Sequence, residues 1–233
     1  MHVRSACFLA LAVAGCATNP TGLKDGESVL ETLRTENKGI VLIHTALHDA
    51  RCARVLARMA HPDASGRYIS GEEVALKRIL NRSGAPIEVT LPAGDYGIVG
   101  LDCENGNQHR FFSMRAAESG NIFTGEGAVY AQPIAKFSLQ AGEFVDVGSL
   151  QLPTQGTGTL FGPSGVFNAY VVPNADGVVQ TLAAAKPAVY AHLVQRLMIV
   201  PGQAQQPNVS VSPAAPSQKT RTPSTPLGSA GKG

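Results

Sequence analysis

The stretch from Ile87 to Val99 constrains the fold more than any other part of the chain. Ile87, Val89 and Leu91 alternate with Glu88 and Thr90, and Pro92-Ala93-Gly94-Asp95 follows at once. Tyr96, Ile98 and Val99 then carry the chain on towards Cys103. Alternation with period two is the pattern of a half-buried strand, and Pro, Gly and Asp together supply turn chemistry. The segment therefore reads as a β-hairpin. Leu139-Gln140-Ala141-Gly142-Glu143-Phe144 repeats the order Leu-x-Ala-Gly-acid-aromatic of Leu91 to Tyr96. Shared turn chemistry explains the repeat more simply than duplication does.

Other segments extend the same β pattern. Gly39 to Thr45 is apolar on both faces, which predicts a central or well-covered strand. From Cys52 to Met59, Ala53, Val55, Ala57 and Met59 alternate with Arg54, Leu56 and Arg58, predicting a half-buried strand with a basic outer face, although Ala-rich, Arg-rich text also suits a helix. His61 to Gly66 reads as a turn. Further strands are expected at Val74–Leu80, Phe111–Arg115, Val129–Ala131, Val145–Leu152 and Asn168–Val172, and a loop at Gly156 to Gly165. Gly26 to Arg34 suits a short helix with Ser28 as a capping candidate. From Val178 to Val200, Leu182, Val189, Leu193 and Leu197 fall near helical spacing. Pro187 at the first turn would open that helix, with Leu193, Leu197 and Met198 packing on the sheets. From Pro201 the chain is mostly Pro, Gln, Ser, Thr, Ala and Gly, with no acids and three bases (Lys219, Arg221 and Lys232), a composition that cannot offset chain entropy and predicts disorder.

The N-terminus speaks to location. An apolar run from Ala6 to Ala14 follows Arg4 and ends in Val13-Ala14-Gly15-Cys16. A basic start, a short apolar core and small residues before the cut make a secretory signal. The run is shorter than the roughly 20 apolar residues a spanning helix needs. With cysteine directly after Gly15 it resembles a bacterial lipoprotein signal, cleaved before Cys16. The resemblance covers about the first sixteen residues. It implies that Cys16 carries a thioether-linked diacylglycerol and an acylated amine. Ala17 and Thr18 follow Cys16 instead of an Asp. In a diderm bacterium this implies an outer-membrane lipoprotein facing the periplasm. The same resemblance bears on the remaining cysteines. Cys7 leaves with the signal and Cys16 is committed to lipid, so Cys52 and Cys103 remain as a pair in an oxidising compartment. They are expected to form a disulfide, the alternative being two separately buried thiols.

Few residues carry recognisable chemistry. The net charge of +2 gives no reason to expect nucleic-acid binding. His44, His48, Asp49 and Cys52 lie close in sequence, but His residues four apart converge on a metal only in a helix. A strand ending near Thr45 and a solvated loop are expected there, with no metal. Glu72, Glu73, Glu88 and Asp95 form no recognisable acid–base pair. Nucleophile elbow, phosphate loop and zinc-helix motifs are absent. No catalytic residue and no cofactor is expected. From Arg51 to Arg82 seven bases face three acids; Arg54, Arg58 and Arg78 are the candidate interaction face for an acidic partner, lipid headgroups or glycan, with an ordinary solvated strand face as the simpler reading.

Together these readings predict a mainly β chain: a single β-sandwich of immunoglobulin-like or transthyretin-like type, with a C-terminal helix and a disordered C-terminal tail. The expected order is signal peptide 1–15, lipid anchor and tether 16–38, sandwich 39–175, helix 176–200 and tail 201–233. The body from Gly39 to Leu152 resembles uncharacterised envelope lipoproteins whose sandwich carries Leu-x-Pro-Gly-x-Tyr hairpins, with Pro92-Ala93-Gly94 departing from that spacing. Leu-x-x-Gly-x-Tyr also resembles the sandwich-edge corner in which a Tyr hydroxyl returns to upstream backbone. Only Tyr96 can make that bond, since Phe144 has no hydroxyl. The expected function is non-enzymatic: an anchored domain that holds membrane lipid through Cys16 and binds or stabilises another envelope component. A glycan or small-ligand binder is the alternative. An anchored hydrolase is a third, and it requires His44, His48 or His109 to converge with a carboxylate or Ser.

Overall fold

A computed structural model describes residues 26–48, 52–77, 85–113, 117–120, 127–155, 164–166 and 168–202. The elements along the chain are α1 (Gly26–Thr35), β1 (Lys38–His48), β2 (Arg54–Pro62), β3 (Tyr68–Lys77), β4 (Ile87–Pro92) and β5 (Gly94–Asn105). They continue as β6 (Gln108–Ser113), β7 (Val129–Tyr130), β8 (Ala135–Leu139), β9 (Phe144–Gln155), β10 (Ser164–Val166) and β11 (Tyr170–Val172). The helices α2 (Asp176–Ala185) and α3 (Pro187–Tyr190) follow, and then β12 (Leu193–Gln195).

These strands form the expected mainly β sandwich. One sheet, A, runs β4-β1-β9. Along the far side of β9 lie β12, β11 and β10 in succession. The other, B, runs β6-β5-β2-β3-β7, with β8 beside the first half of β5. Short β10 pairs with both β9 and β6 and so stitches the sheets together at one flank. The expected loop therefore contains a strand at Ser164–Val166. Val41, Ile43, Leu150 and Leu152 of sheet A meet Val55, Ala57, Met59, Ile98 and Leu101 of sheet B between the layers. The alternation read from β2 is present, with Val55, Ala57 and Met59 inward.

The central position expected of β1 is also present. It pairs antiparallel with β4 and parallel with β9. Its inward residues Val41 and Ile43 join the sandwich core, while Ile40 and Leu42 face a second cluster under the helices. That cluster contains Val29, Leu30 and Leu33 of α1, Phe144 of β9 and Tyr190 of α3. Residues 26–38, assigned to the tether by sequence, thus belong to the folded domain. The spacing of Val29, Leu30 and Leu33 puts one apolar stripe on α1 and explains why it docks. Helix α1 starts at Gly26, two residues before the capping candidate Ser28.

Two further expectations are corrected. The single C-terminal helix is two helices and a strand. Lys186 leaves helical geometry (φ −138°, ψ 58°), as the residue before a proline tends to do. Pro187 opens a helical turn as expected, but α3 lasts four residues. Met198 reaches the sandwich core from extended chain, not from a helix. The predicted hairpin is not a hairpin either. Strand β4 pairs with β1 in sheet A and β5 pairs with β2, β6 and β8 in sheet B. The turn at Pro92–Gly94 therefore carries the chain across the sandwich. Leu139 to Phe144 does the reverse, from β8 in sheet B to β9 in sheet A. The corner bond expected of Tyr96 is present: its hydroxyl donates to the Pro92 carbonyl at 2.7 Å.

Candidate functional site

Among the residues read as sites, Cys16 and Arg78 lie outside the described residues. Cys52 and Cys103 are joined in a disulfide with Cα atoms 5.2 Å apart. Both cysteines are buried and ties the chain just before β2 to β5 in the sandwich core. Closing a loop with a sequence separation of 51 residues stabilises the fold by about 4 kcal/mol in the chain-entropy account.

Arg54 and Arg58 do point outward from sheet B, yet they do not make a free basic face. Arg54 meets the Glu104 carboxylate at 3.3 Å. Arg58 donates to Asp102 at 2.9 Å, lies 3.7 Å from Glu73 and covers the Phe111 ring at 4.5 Å. Its side chain is 14% exposed, so it is a packed cation with two carboxylates and a ring. Gly100 makes room for that ring, because a Cβ there would overlap Phe111. Counting charges along Arg51–Arg82 missed Asp102 and Glu104, which arrive from β5 through antiparallel pairing with β2. The outcome is a ladder of opposed charges. Its exposed Arg54–Glu104 rung contributes about 0–1 kcal/mol.

The outer face of sheet A changes character along its length. Beyond Ile40 and Leu42, β1 presents His44 and His48 on the same side, and the strand runs to His48 where a loop was expected. His44 Nδ1 lies 2.7 Å from Ser149 Oγ. Gln151 Nε2 donates to the same Oγ at 2.7 Å, and its Oε1 lies 3.0 Å from His48 Nε2. This row of four polar side chains spans β1 and β9. Residues four apart in a strand are about 13 Å apart, so His44 and His48 cannot share a metal, and Cys52 is spent in the disulfide. Asp49 lies outside the described residues, and among those described there is no group of three potential ligands. Chemically, His44 and Ser149 can exchange a proton. Ser149 is only 4% exposed and is paired on both sides, to β1 and β11.

Nearer the helices lies a row the sequence did not single out. Glu88, Leu42, Asp146 and Gln195 occupy adjacent positions on β4, β1, β9 and β12. The Asp146 Oδ1 accepts from the Gly148 amide at 2.8 Å and from Asn174 Nδ2 at 2.6 Å. Burial raises the Asp146 carboxyl above the usual range, against the pull of those hydrogen bonds. Glu88 accepts from Tyr190 Oη at 2.8 Å and from Lys186 Nζ at 2.6 Å. Burial, with Glu88 alongside, pushes the Tyr190 phenol far up. The Glu88 bonds pin α3 to sheet A, and the Asp146 bond to Asn174 holds the chain between β11 and α2. The available signal was one acid inside the apolar run Phe144-Val145-Asp146-Val147. The other acids considered in sequence are likewise apart: Glu73 faces Arg58, and Asp95 accepts from Ser138.

No protein-family model, no curated protein and no solved structure matches this chain.

Proposed function

We propose that this chain is a lipid-anchored protein of the bacterial envelope that binds or stabilises another envelope component without catalysis. The Cys52–Cys103 disulfide carries the reading. A core disulfide belongs to an oxidising compartment, the destination that the segment ending in Val13-Ala14-Gly15-Cys16 would give by export. Acylation of Cys16 supplies several chains, and stable anchoring takes at least two such signals. In a diderm cell Ala17 and Thr18 favour the outer membrane. A binding role draws support from the outer face of sheet B. Its opposed charges, among them Arg54, Glu104, Arg58 and Glu73, favour a partner whose charges match in position more than in sum. In-cell crosslinking of the full-length protein, followed by detergent purification and mass spectrometry, is the test. A reproducible envelope protein lost in Cys16→Ser is the expected result. Retention on purified peptidoglycan with no protein partner would replace it with glycan binding.

One observation favours a hydrolase as the second reading, the 2.7 Å approach of His44 to Ser149. The burial of Ser149 within a paired strand argues against it, because a substrate carbonyl needs open access to the nucleophile. Labelling by a fluorophosphonate probe that disappears in Ser149→Ala would establish the hydrolase.

A further inference from the structure

The point at which the tether joins the domain is well defined. Gly26 begins α1 and is buried against α3, where a Cβ on Gly26 would overlap the Ala188 carbonyl. Gly26 lies ten residues after Cys16. Even fully extended, such a length spans at most about 35 Å. A lipid on Cys16 therefore holds the junction of α1 and α3 close to the bilayer, whatever path the intervening chain takes. The surface around that junction is chemically distinctive. Between Gly177 and Ala185, helix α2 has no ionisable residue, and Gln180, Thr181, Ala184 and Ala185 are exposed. At the start of α3, Pro187 and Ala188 are exposed as well, and Lys186 has its ammonium 2.6 Å from Glu88. The opposite outer face, that of sheet B, carries Arg54, Arg58, Glu73, Asp102, Glu104 and His109. Pressing that face on lipid would strip water from a set of charges, which is costly. On the α2–α3 surface the charges are Asp176, the first residue of α2, and Lys186, already paired with Glu88, so pressing this side on lipid strips water from fewer of them.

We infer that the α2–α3 side of the helical layer over sheet A, away from the charged residues Glu27, Glu31 and Arg34 of α1, faces the bilayer, and that the uncharged stretch Gly177 to Ala185 with Pro187 and Ala188 rests on the lipid. This rests on the anchor at Cys16 proposed above. The charged face of sheet B then points away from the membrane, towards any partner.

The sequence contains no tryptophan, so a single introduced Trp reports its own surroundings. Two variants of the mature chain serve, Ala184→Trp on α2 and His109→Trp on sheet B. Each adds the same interfacial pull of one indole, so the difference between them reads orientation. Cys52 and Cys103 are bonded to each other, which leaves Cys16 as the thiol for coupling to a maleimide lipid. Coupled protein on vesicles of phosphatidylethanolamine and phosphatidylglycerol with brominated acyl chains is compared with the same protein on unbrominated vesicles. The expected result is loss of most emission for Ala184→Trp and retention for His109→Trp. Equal quenching, or quenching of His109→Trp alone, overturns the orientation. So does Ala184→Trp that escapes bromine, whether acrylamide reaches it (a domain standing off the membrane) or not (a second copy covering it). Because the anchor is attached chemically, these outcomes do not depend on lipidation in the cell. The mass of Cys16-containing peptide from cells tests that reading separately.

Discussion

The two corners, Leu91 to Tyr96 and Leu139 to Phe144, share a motif and differ in what their aromatic residue does. They lie side by side at one end of the sandwich, since β5 and β8 pair with Gly94 opposite Leu139 and Tyr96 opposite Phe137. The first passes from sheet A to sheet B and the second returns. Tyr96 enters the space between the sheets, where it is fully buried against His61 and Phe137. A buried hydroxyl needs a partner, and the Pro92 carbonyl is one. Phe144 turns to the other side of its sheet, under the helices, with its ring edge-on to Tyr190 at 5.0 Å. Its corner is held differently. The Gly142 amide donates to the Lys38 carbonyl at 2.7 Å, and Glu143 takes Arg196 through both carboxylate oxygens at 2.8 Å. One backbone motif thus serves two cores, and the chemistry of the aromatic follows the core it enters.

The largest effects should come from emptying those cores. Tyr96→Ala and Phe144→Ala are each expected to cost about 3–5 kcal/mol in denaturant unfolding. Hydrogen exchange then separates them: Phe144→Ala should expose the amides of α1 and α3 ahead of sheet B, and Tyr96→Ala should expose both sheets together. Identical exchange patterns would mean that the two clusters unfold as one and that the distinction is empty. Next comes the glycine of the second corner. Gly142 has φ +74°, and a Cβ would lie 2.9 Å from the Leu30 carbonyl oxygen. Gly142→Ala is expected to cost about 1–3 kcal/mol. Gly94 has φ +156°, so Gly94→Ala also strains the backbone, but nothing lies closer than 3.9 Å to the added atom and it should cost less by the missing overlap. A reversed order in thermal melts would show that contact does not set the cost.

Exchanging the hydroxyl is subtler. Tyr96→Phe should lose about 1 kcal/mol with the corner bond, and Phe144→Tyr should gain nothing, since the added oxygen enters an apolar cluster. If Phe144→Tyr stabilises the protein, the two corners are chemically interchangeable after all. The finest test uses pH. Asp146, two residues past the second corner, has its carboxyl raised by burial. A carboxyl raised on folding binds its proton more tightly in the native state, so its contribution is present below the ordinary carboxylate range and is lost as pH rises through the folded value. Asp146→Asn keeps an acceptor for Gly148 and Asn174 and does not titrate. Wild type should therefore lose stability relative to Asp146→Asn as pH rises above the ordinary carboxylate value of about 4. A gap that stays constant with pH would remove burial as the cause.

Much of this architecture is legible in the residues. The alternation in β2, the two-sided apolarity of β1, the tyrosine corner and the Cys52–Cys103 pair each have one strong local or compositional cause. What escaped is pairing. Ile87 to Val99 looks like a hairpin because strand and turn signals are local, whereas the choice of partner is made by strands elsewhere in the chain. The same limit affected Arg54 and Arg58, whose carboxylates come from β5. It also hid the row of Glu88 and Asp146, which exists only once β4, β1 and β9 are adjacent. The C-terminal helix failed for a different reason: leucine and valine at near-helical spacing also serve a chain that Pro187 interrupts and β9 then recruits as a strand.

The parallel pairing of β1 with β9 has a consequence in time. His44 and its neighbour Ser149 are 105 residues apart, so the middle of sheet A is among the last contacts a chain made from its N-terminus can form. Until β9 arrives, β1 has one apolar side without its neighbour, and contacts of such long sequence separation form slowly. Cys52 and Cys103 are already available by then and can hold β2 and β5 together. Folding would then proceed from sheet B outward, with the delayed strand β1 as the segment most prone to pair with another chain while it waits.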